Sequence, residues 1–525
     1  MKRPIPLLVA VAFVIRLVYI LQVRSEPLFL YPVVDALSYD RWARSILQGH
    51  LLGSGVFYQD PLYPYLLAGF YGVFGASRLA LALAQAGLDA LGAGLLAWTG
   101  SRLFSPAVGL LAGAGLALYA PAVFYVGVFE KTTLVLFLTS LLLFLLARGR
   151  PFPAGLSLGA CLLCRGNFFL FAPAAAAWQR SWKAAAVFAG GCILVIAPVT
   201  LRNLVVGKDF VLTTSQAGWN FYKGNCPEAT GGLIEPLGVR NVPEYEETEN
   251  RALAGGGRPS EVSRRWFRQG LSFIASHPAA WLRLTWCKLI LLVNAFELSD
   301  VYDFYYFKER SSLLRALPLG FGLLFPLAVG GVALAAVRKQ AMMPLLLAAC
   351  YGASLVAFYV TGRYRIALVP PLLLYAAYGL CALPGQRPGG RGLWAACVLP
   401  LLLLVRVPVA APNLDRSRFV AATELLRHGR PQEAASALRS MLPRNASCPR
   451  LHYNLAMALL RSGREPEGLQ AFEDCMRHAS GELREHALEN ISALKTRGVR
   501  GTGKTAASDG YCPLEMRAYT ARIGP

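Results

Sequence analysis

Residues that could do chemistry in this chain lie at the ends of long apolar runs. An ionisable side chain is costly to hold near a lipid core, so one that stands there is a functional candidate. A carboxylate in such a place could accept a proton from an attacking hydroxyl or amine, and Lys or Arg could hold a phosphate leaving group. The candidates are Asp35, Asp40, Arg41, Asp60, Glu130, Lys131, Arg165, Arg202, Arg363 and Arg365.

The apolar runs that carry these residues indicate an integral membrane protein. The 525 residues are 55% hydrophobic and 16% charged, with a mean hydropathy of +0.44, which is outside the usual composition of globular proteins. Residues 103–129, 316–337, 341–362 and 366–386 contain no charge. Each run is long enough to cross a bilayer as a helix. We therefore predict an all-α polytopic fold with ten or eleven transmembrane helices.

The net charge of +22 is distributed in a way that argues against a nucleic-acid partner. Most basic residues form short clusters between apolar runs, which is typical of cytoplasmic loops. Counting spans from the N-terminus then predicts two large external loops, residues 24–78 and 202–315. Arg363 and Arg365 break the charge rule by falling outside, and binding to a phosphate would explain them; arginines that only snorkel to lipid headgroups are the alternative.

Three stretches leave the number of spans open. Residues 151–179 are either one long helix or a hairpin bent at Arg165, and charge favours the hairpin because it places Arg180 and Lys183 with the other basic clusters. The apolar stretches 61–75 and 281–296 are short or interrupted by charge, so we expect interfacial helices there.

The C-terminal part has a different composition and an internal repeat. Residues 426–433 recur as 460–467, an offset of 34 residues, and this period is typical of tetratricopeptide repeats. We predict a repeat-like helical domain at 417–495 and a disordered tail at 496–525. Two copies are fewer than a solenoid usually needs, so the domain is either a docked helical cap or a surface that binds a protein partner.

Five segments give the chain a family resemblance. They are VDALSYDRWA at 34–43, DPLYPYLL at 60–67, RGN at 165–167, GWNFYKGN at 218–225 and TGRYRIALVP at 361–370. Together they resemble bacterial membrane glycosyltransferases of the GT-C superfamily, the group of protein mannosyltransferases, aminoarabinose transferases and galacturonosyltransferase-like enzymes. The resemblance covers about residues 5–410, so it implies a GT-C membrane domain at 1–410.

The resemblance implies roles for individual residues. Asp35 matches the acidic position that acts as catalytic base, with helix capping as the alternative for this residue, and Glu130 matches a second acidic position. Asp60 stands where the aminoarabinose transferase pattern has a lysine, so another cation would have to contact the donor phosphate. The implied phosphate-binding residues are Lys131, Arg165, Arg363 and Arg365, and the implied substrate-binding residues are Asp60, Tyr63, Glu130, Arg202, Asn220 and Asn225. For Arg165 the alternative is a charged residue that ends the hairpin at the membrane interface.

The function expected from these features is transfer of a hexosyl- or pentosyl-type sugar from a polyprenyl-phosphate donor to a lipid, glycan or protein acceptor. We expect inversion at the anomeric carbon, since a single base leaves no covalent intermediate, and an active site on the periplasmic side of a bacterial inner membrane. No cofactor and no metal-ligating residue is predicted, since the eleven cysteines lack metal-binding spacing, and the sequence leaves dependence on a divalent metal open.

Three other functions compete with this interpretation. An oligosaccharide ligase or polymerase would work at the same lipid-phosphate interface. A secondary transporter would place ionisable residues within its spans, where this chain has chiefly Arg16 and Asp89. A scaffold would use the repeats to recruit a partner.

Overall fold

The computed structural model describes residues 4–233, 243–335, 341–412 and 414–499. Across these residues the chain forms helices and no β-strand, so the predicted all-α fold class is confirmed. In chain order the α-helices are α1 (Pro4–Val23), α2 (Pro27–Leu30), α3 (Val34–Leu47), α4 (Leu62–Phe74), α5 (Arg78–Leu103), α6 (Pro106–Ala117), α7 (Ala120–Tyr125), α8 (Thr132–Ala147), α9 (Pro151–Cys164), α10 (Ala172–Ala177), α11 (Trp182–Val205), α12 (Ala217–Gly224), α13 (Pro243–Leu253), α14 (Pro259–Ser276), α15 (Pro278–Val293), α16 (Phe304–Arg310), α17 (Ser312–Ala316), α18 (Phe321–Leu334), α19 (Met342–Ala357), α20 (Gly362–Arg365), α21 (Val369–Ala382), α22 (Pro388–Leu404), α23 (Leu414–Arg427), α24 (Pro431–Asn445), α25 (Pro449–Arg461), α26 (Glu465–His478) and α27 (Gly481–Thr496).

Two compact units share these helices. The membrane unit comprises the described residues within 4–24 and 32–411, and the helical unit comprises Ser25–Tyr31 and the described residues from Pro412 onward. Among the described residues of the membrane unit, α1, α5, α11 and the continuous helical stretch Gly362–Gly385 are long and apolar enough to cross a membrane, and seven shorter apolar helices accompany them. The composition and these helices together indicate an integral membrane protein.

The stretch 151–179 is broken at Arg165. Helix α9 ends at Cys164, and Arg165 has an extended backbone (φ −154°, ψ 117°). A Cβ on Gly155 would meet Phe188, and one on Gly159 would meet Val195, so α9 and α11 pack closely and run in the same direction. The chain must therefore turn back between them, as the hairpin interpretation requires.

The returning arm of this hairpin differs from the predicted span. It consists of a 3₁₀ helix, Gly166–Leu170, followed by the six-residue α10. Pro173 lies in the first turn of α10, and its missing N–H removes a backbone hydrogen bond that a regular helix continuing from Gly166 would make.

Charged residues that charge counting places on the same side of the membrane lie together in the membrane unit. Arg102, Arg148 and Arg180 line one cavity. Asp60 and Arg165, predicted for the opposite side, line another. The grouping of these residues in the structure therefore agrees with the predicted order of spans.

The two charges within spans form a structural pair. Arg16 of α1 lies 2.5 Å from Asp89 of α5, and both side chains are almost fully buried. Arg16 also donates to the carbonyl oxygens of Leu116 and Ala117, at 3.0 and 2.7 Å. These contacts join α1, α5 and α6, and they give the mid-span charges a structural role.

The helical unit contains the sequence repeat. Helices α23 to α27 pack each on the next, and Gly429 and Gly463, 34 positions apart, have φ values of 74° and 75° that favour glycine. Segment Ser25–Tyr31 also belongs to this unit: α2 packs on α23, and Tyr31 stacks on His428 with ring centroids 3.8 Å apart. Part of the predicted first loop is thus built into the helical unit. Of the predicted tail, 496–525, Thr496 is the last residue of α27, and residues 500–525 lie outside the described residues.

Candidate active site

Asp35 lies at the start of α3, in a backbone that is locally strained. Val34 has a φ of 49°, a conformation that is unfavourable for a β-branched residue and that is often found at functional sites. The N–H of Val33 donates to the hydroxyl of Tyr302 at 3.1 Å. These features fix the entry into α3, and they place the Asp35 carboxylate in its first turn.

Three carboxylates converge on Arg363, and we call them the carboxylate cluster. Arg363 Nη1 lies 2.6 Å from Asp35 Oδ2 and 3.1 Å from Glu130 Oε2, and its Nε lies 2.5 Å from Asp300 Oδ2. Asp300 was missed by the sequence analysis, since nothing in its position within a long loop indicates that it meets α3 and α20. Within the described residues, no group of three or more His, Cys, Asp or Glu side chains is arranged to hold a metal ion.

The carboxylates of this cluster differ in exposure and in proton affinity. The Asp35 side chain is 14% exposed, whereas Glu130 and Asp300 are each 3% exposed. Burial alone would raise the pKa of Asp35, but the charge and hydrogen bond of Arg363 outweigh it and hold that pKa below its usual value. Burial raises the pKa of Glu130, and the nearby Asp35 carboxylate adds to this. Asp35 is therefore the most accessible carboxylate of the three, and its pKa is shifted toward the ionised form.

Asp35 also accepts a hydrogen bond from a neutral side chain. Gln59 Nε2 donates to Asp35 Oδ1 at 3.0 Å, and Ser38 Oγ donates to Gln59 Oε1 at 3.1 Å. A carboxylate has about four lone-pair sites. The bonds from Gln59 and Arg363 therefore leave capacity for a substrate hydroxyl.

A second ion pair lies beside the cluster. Lys131 contacts Asp60, and both side chains are buried. Tyr63 donates to Gln85 Oε1 at 3.1 Å, and Gln85 in turn donates to the backbone of the loop that leads to Glu130, through the carbonyl of Val128 at 3.1 Å. Tyr63 thus holds the loop that carries Glu130 and Lys131.

A cavity of about 490 Å³ opens next to Asp60, and we call it the Arg165 cavity. Its walls are mainly apolar, with Phe169, Leu170 and Phe358 among them, and Arg165 and Asp60 contribute the charged part. The volume is within the range of small-molecule binding sites.

Arg165 is buried without a balancing charge. Its side chain belongs to a residue that is 2% exposed, its Nη2 donates only to Thr132 Oγ1 at 3.3 Å, and its guanidinium lies 4.3 Å from the ring centre of Tyr364. Its Nε and Nη1 are buried without a hydrogen-bond partner, and in the described part of the chain no carboxylate forms an ion pair with it. Unsatisfied buried donors are costly unless a ligand supplies acceptors.

Two other predicted arginines bind the backbone of the protein itself. Arg365 donates to the carbonyls of Asn294 and Phe296, at 2.6 and 2.7 Å, and pairs with Glu297 at 3.0 Å. Arg202 donates to backbone carbonyls of the first loop, those of Leu52 and Gly55. These contacts stabilise the segments around the site, and they engage both guanidinium groups with the protein itself.

The two predicted asparagines differ in position. Asn220 lines the Arg165 cavity and accepts a hydrogen bond from the Tyr359 hydroxyl at 3.2 Å. Asn225 is buried, donates to the carbonyl of Ala357 at 2.9 Å and accepts from Lys288 at 3.1 Å. Asn220 therefore lines the cavity, whereas Asn225 does not line it and binds the backbone of Ala357 in its wall.

Comparisons with known proteins give remote structural likenesses. No protein-family model matches the chain, and no curated protein matches it in sequence. The oligosaccharyltransferase of Archaeoglobus fulgidus in its apo form is 15% identical over 98% of this chain, with a TM-score of 0.43, and the chain spans 62% of that protein's length. ArnT from Cupriavidus metallidurans, bound to undecaprenyl phosphate, is 13% identical over 94% of this chain and 88% of its own, with a TM-score of 0.42. At this distance the likeness assigns no family, and the function is inferred from the site.

Proposed function

We propose that this protein is a membrane glycosyltransferase that uses a polyprenyl-phosphate sugar as donor. The observation that carries the proposal is Arg165, a buried guanidinium with two unpartnered N–H donors in a largely apolar cavity. A lipid phosphate matches both properties, because its chain suits apolar walls and its phosphate accepts charge-assisted hydrogen bonds. The sugar, of hexosyl or pentosyl type, passes to a lipid, glycan or protein acceptor.

In this proposal Asp35 is the catalytic base. The acceptor oxygen or nitrogen forms a bond to the anomeric carbon while the bond from that carbon to the phosphate oxygen breaks. The electron pair stays on the phosphate, and the acceptor proton passes to the Asp35 carboxylate. A direct displacement of this kind inverts the anomeric centre, since no covalent intermediate forms.

Arg165 contributes most to the reaction when the phosphate leaves. Negative charge on the phosphate grows in the transition state, so a donor aimed at it is stronger there than in the ground state. Arg363 and Lys131 were also expected at the phosphate. Their charges are engaged by the carboxylate cluster and by Asp60, so we assign them to positioning the base and the loops.

Donor binding and transfer by the purified protein test this proposal. We expect Arg165→Gln to lose affinity for polyprenyl phosphate and to transfer sugar slowly from a synthetic polyprenyl-phosphate donor. Arg180→Gln is the matched control, because Arg180 is an exposed arginine of the cavity that Arg102 and Arg148 also line. Wild-type binding of polyprenyl phosphate by Arg165→Gln would refute the donor site.

We further propose that the site faces the external side of a bacterial inner membrane and that the helical unit binds a protein partner there. Charge counting supports this orientation. Single cysteines at the exposed positions Ser54 and Arg387 should react differently with an impermeant thiol reagent in intact cells, with Ser54 labelled above the background and Arg387 not. The reverse pattern would place the site in the cytoplasm.

A further inference from the structure

A second cavity, of about 270 Å³, adjoins the segment that carries Gln59 and Asp60. Ser38, Trp42, Gln59 and Glu247 are among its lining residues, whereas the next residue along the chain, Asp60, lines the Arg165 cavity. From this arrangement we infer that the second cavity is the acceptor site and that it binds a neutral saccharide. The inference rests on the proposed function and adds to it the class of acceptor.

The second cavity is connected to the proposed base by hydrogen bonds. Gln59, in its lining, donates to Asp35 Oδ1 at 3.0 Å. Ser38, also in its lining, lies one turn after Asp35 on α3 and donates to the same Gln59 at 3.1 Å. A ligand hydroxyl that takes the place of the Gln59 amide would be within hydrogen-bond distance of Asp35. Gln59 is therefore a positioning residue between the acceptor and the base.

Trp42 supplies a fixed aromatic surface. Its ring packs against Phe57 at a centroid distance of 5.1 Å and against Tyr65 at 6.3 Å, and the side chain remains partly exposed. Aromatic rings offer rigid contact area, and the apolar C–H face of a sugar ring can pack on them. Such a surface, beside a few polar side chains, is typical of small-molecule sites.

The polar side chains of this cavity suit hydroxyl groups. Ser38 and Gln59 can both donate and accept hydrogen bonds, and the Glu247 carboxylate accepts them. Glu247 is on α13, which packs against α3, and burial raises the pKa of its carboxyl group above the usual value. A carboxyl group in this environment is a better partner for a hydroxyl than for an anion.

The cavity has no available cation in the part of the chain that the structure describes. Arg202 lines it, but the guanidinium of Arg202 binds the carbonyls of Leu52 and Gly55 and lies 3.8 Å from the ring centre of Phe57. Apart from Arg202, no Lys or Arg is among the described residues that line this cavity, so a phosphorylated lipid or an acidic glycan would meet the Glu247 carboxyl group without a lining cation to bind it. This feature distinguishes the second cavity from the Arg165 cavity, and it favours a neutral ligand.

Acceptor kinetics of the purified full-length protein test the inference. With a saturating synthetic polyprenyl-phosphate sugar and neutral methyl glycosides as acceptors, we expect Trp42→Ala to raise the acceptor KM by about tenfold or more, which corresponds to about 1.4 kcal/mol of lost binding. Glu247→Gln should raise it less. Both variants should bind polyprenyl phosphate like the wild type. Glu249→Gln is the matched control on α13, since Glu249 does not line the cavity.

Three outcomes would overturn the inference. The first is an unchanged acceptor KM in Trp42→Ala, with Trp42→Phe as the variant that keeps the ring and guards against misfolding. The second is a preference for a uronic acid, and the third is a preference for a peptide acceptor over a neutral saccharide. Saturation-transfer NMR of methyl glycosides with wild type and Trp42→Ala measures binding without turnover. Saccharide binding that depends on Trp42, in a protein that binds no polyprenyl phosphate, would refute the proposed donor and retain the second cavity as a saccharide site.

Discussion

Two buried arginines of the membrane unit have opposite surroundings. Arg363 is held by the three carboxylates Asp35, Glu130 and Asp300, whereas Arg165 contacts one hydroxyl and one ring and keeps two unpartnered donors. Both follow the same sequence rule, since each is expected at the external end of an apolar run. The difference indicates that Arg363 organises the protein's own carboxylates and that Arg165 awaits an anionic ligand.

The surroundings of each arginine also determine whether its substitution affects the stability of the protein or the binding of the donor. Removal of one partner from a buried ion pair costs about 3–5 kcal/mol, because the other charge is left buried and unpaired. Arg363 should therefore affect stability and the state of Asp35. The unsatisfied donors of Arg165 already carry a desolvation cost in the free protein, so its effect should be seen in donor binding and in the departure of the phosphate, and not in the stability of the free protein.

The largest expected effect is that of Asp35→Asn. The amide keeps the shape of the side chain and cannot accept the proton, so turnover should fall by about 10²-fold or more while donor affinity remains. Transfer from a synthetic polyprenyl-phosphate sugar measures it. Asp40→Asn on the same helix is the control. Asp40 binds Arg44 and Arg78, so this substitution should lower stability and leave the turnover of the folded protein unchanged. Near-normal turnover in Asp35→Asn would show that Asp35 is not the catalytic base.

Arg165→Gln should have the next largest effect, and it acts on binding. Hydrogen bonds to charged groups contribute about 1.5–3 kcal/mol each, so the Kd for polyprenyl phosphate should rise by about 10- to 100-fold. Titration with polyprenyl phosphate and with the unphosphorylated alcohol separates the contribution of the phosphate headgroup to the affinity from that of the lipid tail. An equal loss of affinity for both ligands would contradict a phosphate contact at Arg165.

The comparison also shows which parts of the site were predictable. The apolar runs predict a helical membrane protein, because lipid imposes the same constraint on every span, but they do not predict where a helix breaks: the charge-free run 103–129 contains α6 and α7. Asp35, Glu130 and Arg165 were expected at the site because charges beside spans are few. The sequence did not predict which arginine pairs with the carboxylates, since Arg165 and Arg363 have the same side chain and only their neighbours in the folded protein distinguish them.

Other parts of the site gave no usable signal in the sequence. Asp300 is one acidic residue in a long loop, and its contact with Arg363 depends on how that loop folds. Gln59 and Trp42 carry no net charge, so a search for ionisable residues does not find them. Segment Ser25–Tyr31 was placed in the first loop, but tertiary packing assigns it to the helical unit.

A smaller effect is expected from Arg363→Lys, and it should depend on pH. Lys keeps the charge but cannot bridge three carboxylates from one planar group, so the pKa of Asp35, now held low chiefly by Arg363 against the effect of burial, should rise. Because the base must be ionised, the acidic limb of the kcat profile should move to higher pH. The stability that a depressed carboxyl pKa provides is present at neutral pH and lost as the pH falls through the folded-state value, so the variant should also lose stability at a higher pH than the wild type. A profile that superimposes on the wild type would show that Arg363 does not control Asp35.

Arg365→Lys should have the smallest effect on transfer, although Arg365 stands two positions from Arg363 and is equally unexpected by the charge rule. Its terminal nitrogens bind the carbonyls of Asn294 and Phe296 and the carboxylate of Glu297. A lysine ammonium cannot occupy all of these positions, so the free energy of unfolding should fall by about 1–3 kcal/mol, visible as a lower Tm in detergent. Because Arg365 is engaged by the backbone and is not among the residues that line the Arg165 cavity, the Kd for polyprenyl phosphate should stay within about twofold of the wild type. A loss of donor affinity as large as that of Arg165→Gln would make Arg365 the phosphate ligand that the charge pattern first predicted, and pairing with the protein would then no longer separate structural arginines from ligand-binding ones.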